Sequence, residues 1–141
     1  MLDLTQAYYI SINSPTMKDP QYHYPTEPKS EFYIDEGCHI IEILNDNNHP
    51  DISISQARVE PGKTTEVHYL DQTVEMYYIL SGNGTAYIAD QEIAVKPGDL
   101  IYIPAGVNQH ITNDTDNDLV FLCICTPRWQ EHIYKLSLIH I

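Results

Sequence analysis

An all-β fold of many short strands, a barrel or a sandwich, is the structure that this sequence predicts. Short apolar stretches rich in β-branched and aromatic side chains recur along the chain. Turn-forming residues separate them, as in residues 81–84 and 96–99, where Gly and Pro occupy positions that tight turns favour. The 141 residues, 43% hydrophobic and 19% charged, are enough for one globular core. We therefore expect a single β domain.

Residues 1–31 are interpreted as an N-terminal arm with a Pro-rich segment. Four prolines lie in this segment, at Pro15, Pro20, Pro25 and Pro28. Because proline fixes φ and lacks a backbone donor, the segment is expected to be extended rather than helical. Tyr22 and Tyr24 indicate that the arm packs on another surface instead of extending into solvent.

The barrel segment, residues 32–127, contains the predicted strands, each bounded by turn-forming residues. They are expected at residues 38–44, 52–59, 64–70, 74–80, 85–89, 93–95, 100–103, 109–112 and 119–125. Residues 113–118 form a polar loop before the last of them. The C-terminal tail, residues 128–141, fits helix and strand equally, and we expect it to pack on the barrel or on a partner.

Charge and cysteine usage exclude several classes of function. The formal net charge is −13 with only 7 Lys and Arg, so neither nucleic acid nor an anionic membrane surface is an expected partner. No stretch has the length of a signal peptide or a transmembrane helix. The three cysteines, Cys38, Cys123 and Cys125, are expected to be reduced thiols in a cytoplasmic protein. Cys123 and Cys125 share one face of a strand, where packing is the expected role and ligand or redox chemistry the alternative.

Two spaced motifs in the middle of the chain carry its candidate chemistry. The first contains Gly62, His68, Leu70, Glu75 and Gly82, and the second contains Gly98, Pro104, Gly106, Gln109 and Asn113. Over residues 52–126 they resemble the two signature motifs of the cupin superfamily, in the small single-domain members with a His-x-Leu form of the first motif. This resemblance implies a cupin-type double-stranded β-helix, a jelly-roll barrel, with a pocket that often holds a metal.

The resemblance also assigns candidate metal ligands. Cupins usually carry His, His, Glu and His at four positions, which here are His68, Leu70, Glu75 and Gln109. One hypothesis is that His68, Glu75 and Gln109 hold a divalent ion such as Mn, Fe, Ni or Zn, with waters completing the set. The other is that these three side chains form a hydrogen-bonded polar cluster in a metal-free ligand pocket, where Glu75 and His68 are an acid–base pair.

Strand parity adds two candidate ligand-binding residues. Tyr77 shares a face with Glu75 and is expected either to pack in the core or to offer its hydroxyl to a ligand. Arg58 shares a face with Gln56. If that face is the lumen, Arg58 can bind a carboxylate of the substrate; if not, it is a surface charge.

The sequence leaves two classes of function open. One is an enzyme of isomerase, lyase or oxygenase type, with Glu75 as general base or ligand and His68 as ligand or acid. The other is a non-catalytic module that binds or senses a small molecule. A homodimer is expected in either case, because the arm and the apolar tail need a surface to cover.

Overall fold

Eleven strands in two antiparallel sheets form the fold in the computed structural model, which describes residues 21–35 and 37–138. The strands are β1 (Phe32–Ile34), β2 (Cys38–Leu44), β3 (Ser53–Val59), β4 (His68–Leu70), β5 (Val74–Ser81), β6 (Gly84–Ile88), β7 (Gln91–Val95), β8 (Leu100–Ile103), β9 (Gln109–Thr112), β10 (Leu119–Thr126) and β11 (Tyr134–Leu136). The all-β prediction is confirmed. Neither of the two three-residue helical turns in this part of the chain has the length or the apolar run of a membrane-spanning helix.

The first sheet has six strands in the order β1-β2-β3-β10-β5-β8, and the second has five in the order β11-β4-β9-β6-β7. Alternating side chains of the two inner faces make the core. On β3, Ala57 and Val59 are buried, and on β5, Tyr77 and Ile79 are buried. This main core fills one end of the space between the sheets. A smaller apolar cluster around Leu70 packs at the other end.

The third predicted strand is shorter than expected, because residues 64–67 do not pair as a strand and β4 begins only at His68. The hydroxyl of Thr65 accepts a hydrogen bond from the backbone N–H of Ile111 at 2.9 Å. A side chain therefore occupies a backbone donor that would bond to a backbone carbonyl in a regular β-ladder. Thr64 keeps one isolated bridge to Thr112.

The C-terminal tail contains a helical turn and a strand, the two kinds of structure that its sequence pattern allowed. Glu131–Ile133 forms a 3-10 turn, and β11 then pairs antiparallel with β4 of the same chain. In the arm, the turn Pro28–Ser30 leads into β1, which pairs with β2. Thus the described parts of both terminal segments fold back on their own barrel.

The arm tyrosines differ from each other. Tyr24 packs edge-on against the ring of His49, with ring centroids 5.8 Å apart, whereas Tyr22 is 88% exposed. Packing was predicted for both tyrosines, and it holds within the described residues only for Tyr24. Pro15 and Pro20 of the predicted Pro-rich segment lie outside the described residues.

Replacing Gly82 is expected to destabilise the fold severely. A Cβ there would lie 2.2 Å from the carbonyl oxygen of Asp118, and the residue has a φ of +79°. Gly82→Ala should therefore lower the free energy of unfolding by about 3 to 4 kcal/mol, from strain and overpacking together. Urea denaturation measures this loss.

Gly98→Ala is the matched control, because Gly98 also has a positive φ, +90°, but no atom within 4 Å of an added Cβ. It should cost only about 1 kcal/mol, from backbone strain alone. Equal losses of unfolding free energy in the two variants would show that the nearby carbonyl oxygen of Asp118 does not restrict the residue at position 82.

Candidate functional site

A buried polar cluster joins the two sheets at the predicted site. Glu75 and Tyr77 point inward from β5, and Gln109 points inward from β9 of the other sheet. The Nε2 of Gln109 donates to Oε1 of Glu75 and, at 2.6 Å, to Oη of Tyr77. All three side chains are at least 94% buried, since their exposed fractions are 6%, 4% and 1%. Three predicted site residues therefore meet in one hydrogen-bonded group.

Two thiols complete the surroundings of Glu75. Strand β10 lies beside β5 in a register that sets Cys125 opposite Glu75 and Cys123 opposite Tyr77. Cys125 Sγ donates to Oε2 of Glu75 at 3.6 Å, and the Cys123 thiol also hydrogen-bonds this carboxyl. The two cysteines share a face, as predicted. That face carries the candidate site as well as the core.

The Glu75 carboxyl titrates far from its ordinary range. Burial raises its pKa to about 7, because water no longer solvates the charged form. Hydrogen bonds from Gln109 and the two thiols stabilise the carboxylate and offset part of this effect. A carboxyl with a pKa near neutrality can both accept and release a proton under physiological conditions.

The ring of His68 is held from two sides. Its Nδ1 is 2.8 Å from the backbone oxygen of Glu66, and the ring stacks on Tyr134 with centroids 4.6 Å apart. Because a carbonyl can only accept, Nδ1 carries the hydrogen and Nε2 of the neutral ring keeps its lone pair. His68 also pairs directly with Gln109 across β4 and β9, which brings it to the same end of the barrel.

His68 and Glu75 line a cavity of about 130 Å³ between the sheets. Its other polar or thiol-bearing residues are Glu42, Asn45, Ser53, Ser55, Cys123 and Cys125. Its apolar residues are Phe32, Ile34, Ile40, Ile54, Leu70 and Trp129. Phe32 is 43% exposed, so the cavity approaches solvent beside the arm. Tyr77 and Gln109 are not lining residues; Gln109 donates to the Glu75 carboxyl and also to the hydroxyl of Tyr77.

Arg58 is not brought to this group. Its neighbours Ala57 and Val59 are 1% and 0% exposed in the core, so by strand alternation Arg58 points to the outer face of the sheet. There its Nη2 lies 2.6 Å from Oε1 of Glu31, and its Nη1 lies 3.4 Å from Oδ2 of Asp118. Of the two predictions for Arg58, the structure agrees with the outward-facing charge, and the ion pair with Glu31 ties the arm to β3.

The side chains present do not fit a metal ion held by His68, Glu75 and Gln109. In the observed arrangement the Gln109 nitrogen donates to Glu75, so a cation beside the carboxyl would face the amide hydrogens, while the Gln109 oxygen is buried without a hydrogen-bond partner. Leu70 fills the position of the second imidazole with an apolar side chain that is 2% exposed. Within residues 21–35 and 37–138, no group of three or more His, Cys, Asp or Glu side chains is arranged to hold a metal.

Sequence reasoning missed several residues of the cavity. Strand pairing could have placed Cys125 beside Glu75, since both lie on strands whose inner faces are readable from their alternation. No sequence signal points to Phe32 or Trp129, which reach the cavity from β1 and from the segment after β10.

The fold and the cavity together define a small jelly-roll β-barrel with a polar interior site. Residues 55–125 match the cupin domain family. This match covers half of the chain, so the chain belongs to that family.

Two curated proteins and one solved structure are informative relatives. An uncharacterised protein of Methanocaldococcus jannaschii is 34% identical over 94 residues, which cover 65% of this chain and 75% of that protein. An oxalate-binding protein of Thermotoga maritima is 29% identical over 70 residues, 50% of this chain and 58% of that protein. The nucleoside dehydratase Pac13 of Streptomyces superposes with a TM-score of 0.69 and 17% identity, covering 84% of this chain and 92% of its own, which shows the shared fold.

Proposed function

We propose that this protein binds a small organic molecule in the cavity between its sheets and that Glu75 is the acid–base group there. The observation that carries this proposal is a carboxyl with a pKa of about 7 that lines a cavity beside His68. The comparisons support the binding of a small molecule, without bearing on its charge or on the role of Glu75, since one protein is named for binding oxalate and one for dehydrating a nucleoside.

Proton transfer is the chemistry that these side chains can supply. As a carboxylate, Glu75 removes a proton from the bound molecule, and as a carboxylic acid it returns that proton at another position. His68 offers Nε2 as a hydrogen-bond acceptor that orients the molecule. Reactions of isomerase or lyase type match this pair. Metal-dependent oxygenase chemistry does not match this donor set, in which Leu70 and Gln109 replace two imidazoles.

A non-catalytic binding or sensing role is the second candidate. It is favoured by the fact that both oxygens of Glu75 already have partners, Gln109 on one side and Cys125 on the other. A carboxyl held in this way can recognise a ligand without giving up a proton.

Filling the cavity is expected to abolish ligand binding without unfolding the chain. Ser55 lines the cavity from β3, whereas its neighbour Gln56 alternates to the outer face. Fragments detected by ligand-observed NMR on the unaltered protein should fail to bind Ser55→Phe and should still bind Gln56→Phe. Fragments that bind both variants equally would place the ligand site elsewhere on the molecule.

The homodimer stays a prediction. It is supported by a row of apolar side chains on the outer face of β5 and of β8, the edge strand of its sheet. Tyr78, Leu80, Leu100 and Tyr102 are 37%, 44%, 57% and 58% exposed there.

A further inference from the structure

We infer that the cavity takes a compact organic cation, an amine or amidine attached to a group about the size of a benzene ring, whose charge lies against Glu75. This inference rests on the proposed function and specifies the class of ligand. Three features of the cavity carry it: the sign of its charged groups, the uncharged partners of Glu75, and the size and aromatic content of its walls.

The charged side chains of the cavity are acidic. Glu42 and Glu75 line it, and no Lys or Arg within the described residues does so. Arg128 is not a lining residue, and its guanidinium is already engaged, since it donates to Asn45, which lines the cavity, and to Asn47. An anion would therefore enter against two carboxyls with no Lys or Arg among the described lining residues, and an unpaired buried charge is strongly disfavoured.

The partners of Glu75 leave its charge uncompensated. The groups that stabilise its carboxylate are the amide of Gln109 and the thiols of Cys123 and Cys125, all of which are uncharged. His68 directs its N–H to the backbone oxygen of Glu66 rather than to the carboxyl. A cationic ligand would supply the positive charge that none of these partners of Glu75 provides.

The size and the walls of the cavity define the rest of the ligand. At about 130 Å³ it is close to the volume, roughly 150 Å³, of an apolar cavity known to accept benzene. Trp129 and Phe32 are among its walls, and aromatic faces attract organic cations. Ile34, Ile40 and Leu70 provide apolar contact for the uncharged part of the molecule.

Three probes of the same shape and different charge test the inference. Benzamidinium, benzamide and benzoate have the same number of non-hydrogen atoms and are cationic, neutral and anionic at pH values near 7. Calorimetric or NMR titration of the full chain should show benzamidinium binding about tenfold or more tighter than benzamide, the effect of one net favourable buried pair. Benzoate should bind most weakly.

Glu75→Gln keeps the shape of the side chain and removes its charge, so it should bring benzamidinium and benzamide to similar affinity. Glu92→Gln, on exposed β7 away from the cavity, is the matched control and should keep the full preference. If Glu75→Gln does not fold, Glu42→Gln changes an exposed lining carboxyl instead and should reduce the preference by about twofold.

The outcomes separate this inference from the function on which it rests. Benzamide or benzoate binding as tightly as benzamidinium would overturn the charge preference and leave small-molecule binding intact. A cation preference that survives both Glu75→Gln and Glu42→Gln would overturn the assignment to this cavity. Failure of all three probes to bind would contradict the inference and the proposed ligand cavity together.

Discussion

Between about pH 5 and about pH 8, the unaltered protein should lose about 2.5 kcal/mol of unfolding free energy relative to Glu75→Gln. The pKa of Glu75 is about 7 in the folded chain, against an ordinary value of 4.5. Between these values the unfolded chain has released the proton of Glu75 and the folded chain still holds it. Raising the pH therefore favours the unfolded chain across this window, and the effect ends above the folded pKa, where both states are ionised.

The comparison with Glu75→Gln isolates this group from the other carboxyls of the chain. Glu31, Asp46 and Asp99 have lowered pKa values because of their partners Arg58, His49 and Lys96, so they lose stabilisation as the pH falls. Those effects are common to both proteins and cancel in the difference. Urea denaturation at the two pH values measures the difference in unfolding free energy between the two proteins. Glu92→Gln is the control, and its unfolding free energy should change with pH as that of the unaltered protein does. Parallel pH profiles for the unaltered protein and Glu75→Gln would mean that the carboxyl keeps an ordinary pKa.

Restoring two imidazoles should convert the polar cluster into a metal site. In Leu70→His/Gln109→His, the new rings would join His68 and Glu75, because Leu70 lines the same cavity and Gln109 already touches the carboxyl. Three imidazoles and one carboxylate suit a borderline divalent ion such as Zn or Ni. We expect near-stoichiometric metal in the variant and an affinity at least about a hundredfold above that of the unaltered protein, since even residues that only hydrogen-bond to metal ligands change affinity by up to about that factor.

Elemental analysis after purification without chelator measures this gain. His68→Ala in the same double variant should remove the metal, and Leu80→His, on the outer face of β5, should bind none. One result would contradict the interpretation of the unaltered pocket as metal-free, and another would contradict the placement of the four side chains around one point. One is stoichiometric metal in the unaltered protein that His68→Ala removes. The other is a double variant that folds and takes up no metal, which would mean that the four positions do not converge.

Much of the barrel was readable from local pattern. Three strands, β2, β8 and β9, have the bounds that the sequence predicted, because turn-forming residues lie on both sides of each. Alternation along β5 also placed Glu75 and Tyr77 on one face, and both are buried on that face. The spacing of Gly, Pro, His and Glu in the two motifs identified the family, and this information lies in the order of the residues alone.

Other features depended on which strands became neighbours. Alternation separates the two faces of β3 but does not say which face is the lumen, so the place of Arg58 was decided by the packing of Ala57 and Val59 in the core. The contact of Cys125 with Glu75 comes from the pairing of β10 with β5, which are 50 residues apart at that point. Burial by both sheets raises the pKa of Glu75, and Trp129 and Phe32 reach the cavity from distant segments. The sequence determined the strands and the polarity of their faces, whereas long-range pairing decided which faces met, because side-chain alternation is local and burial depends on the whole barrel.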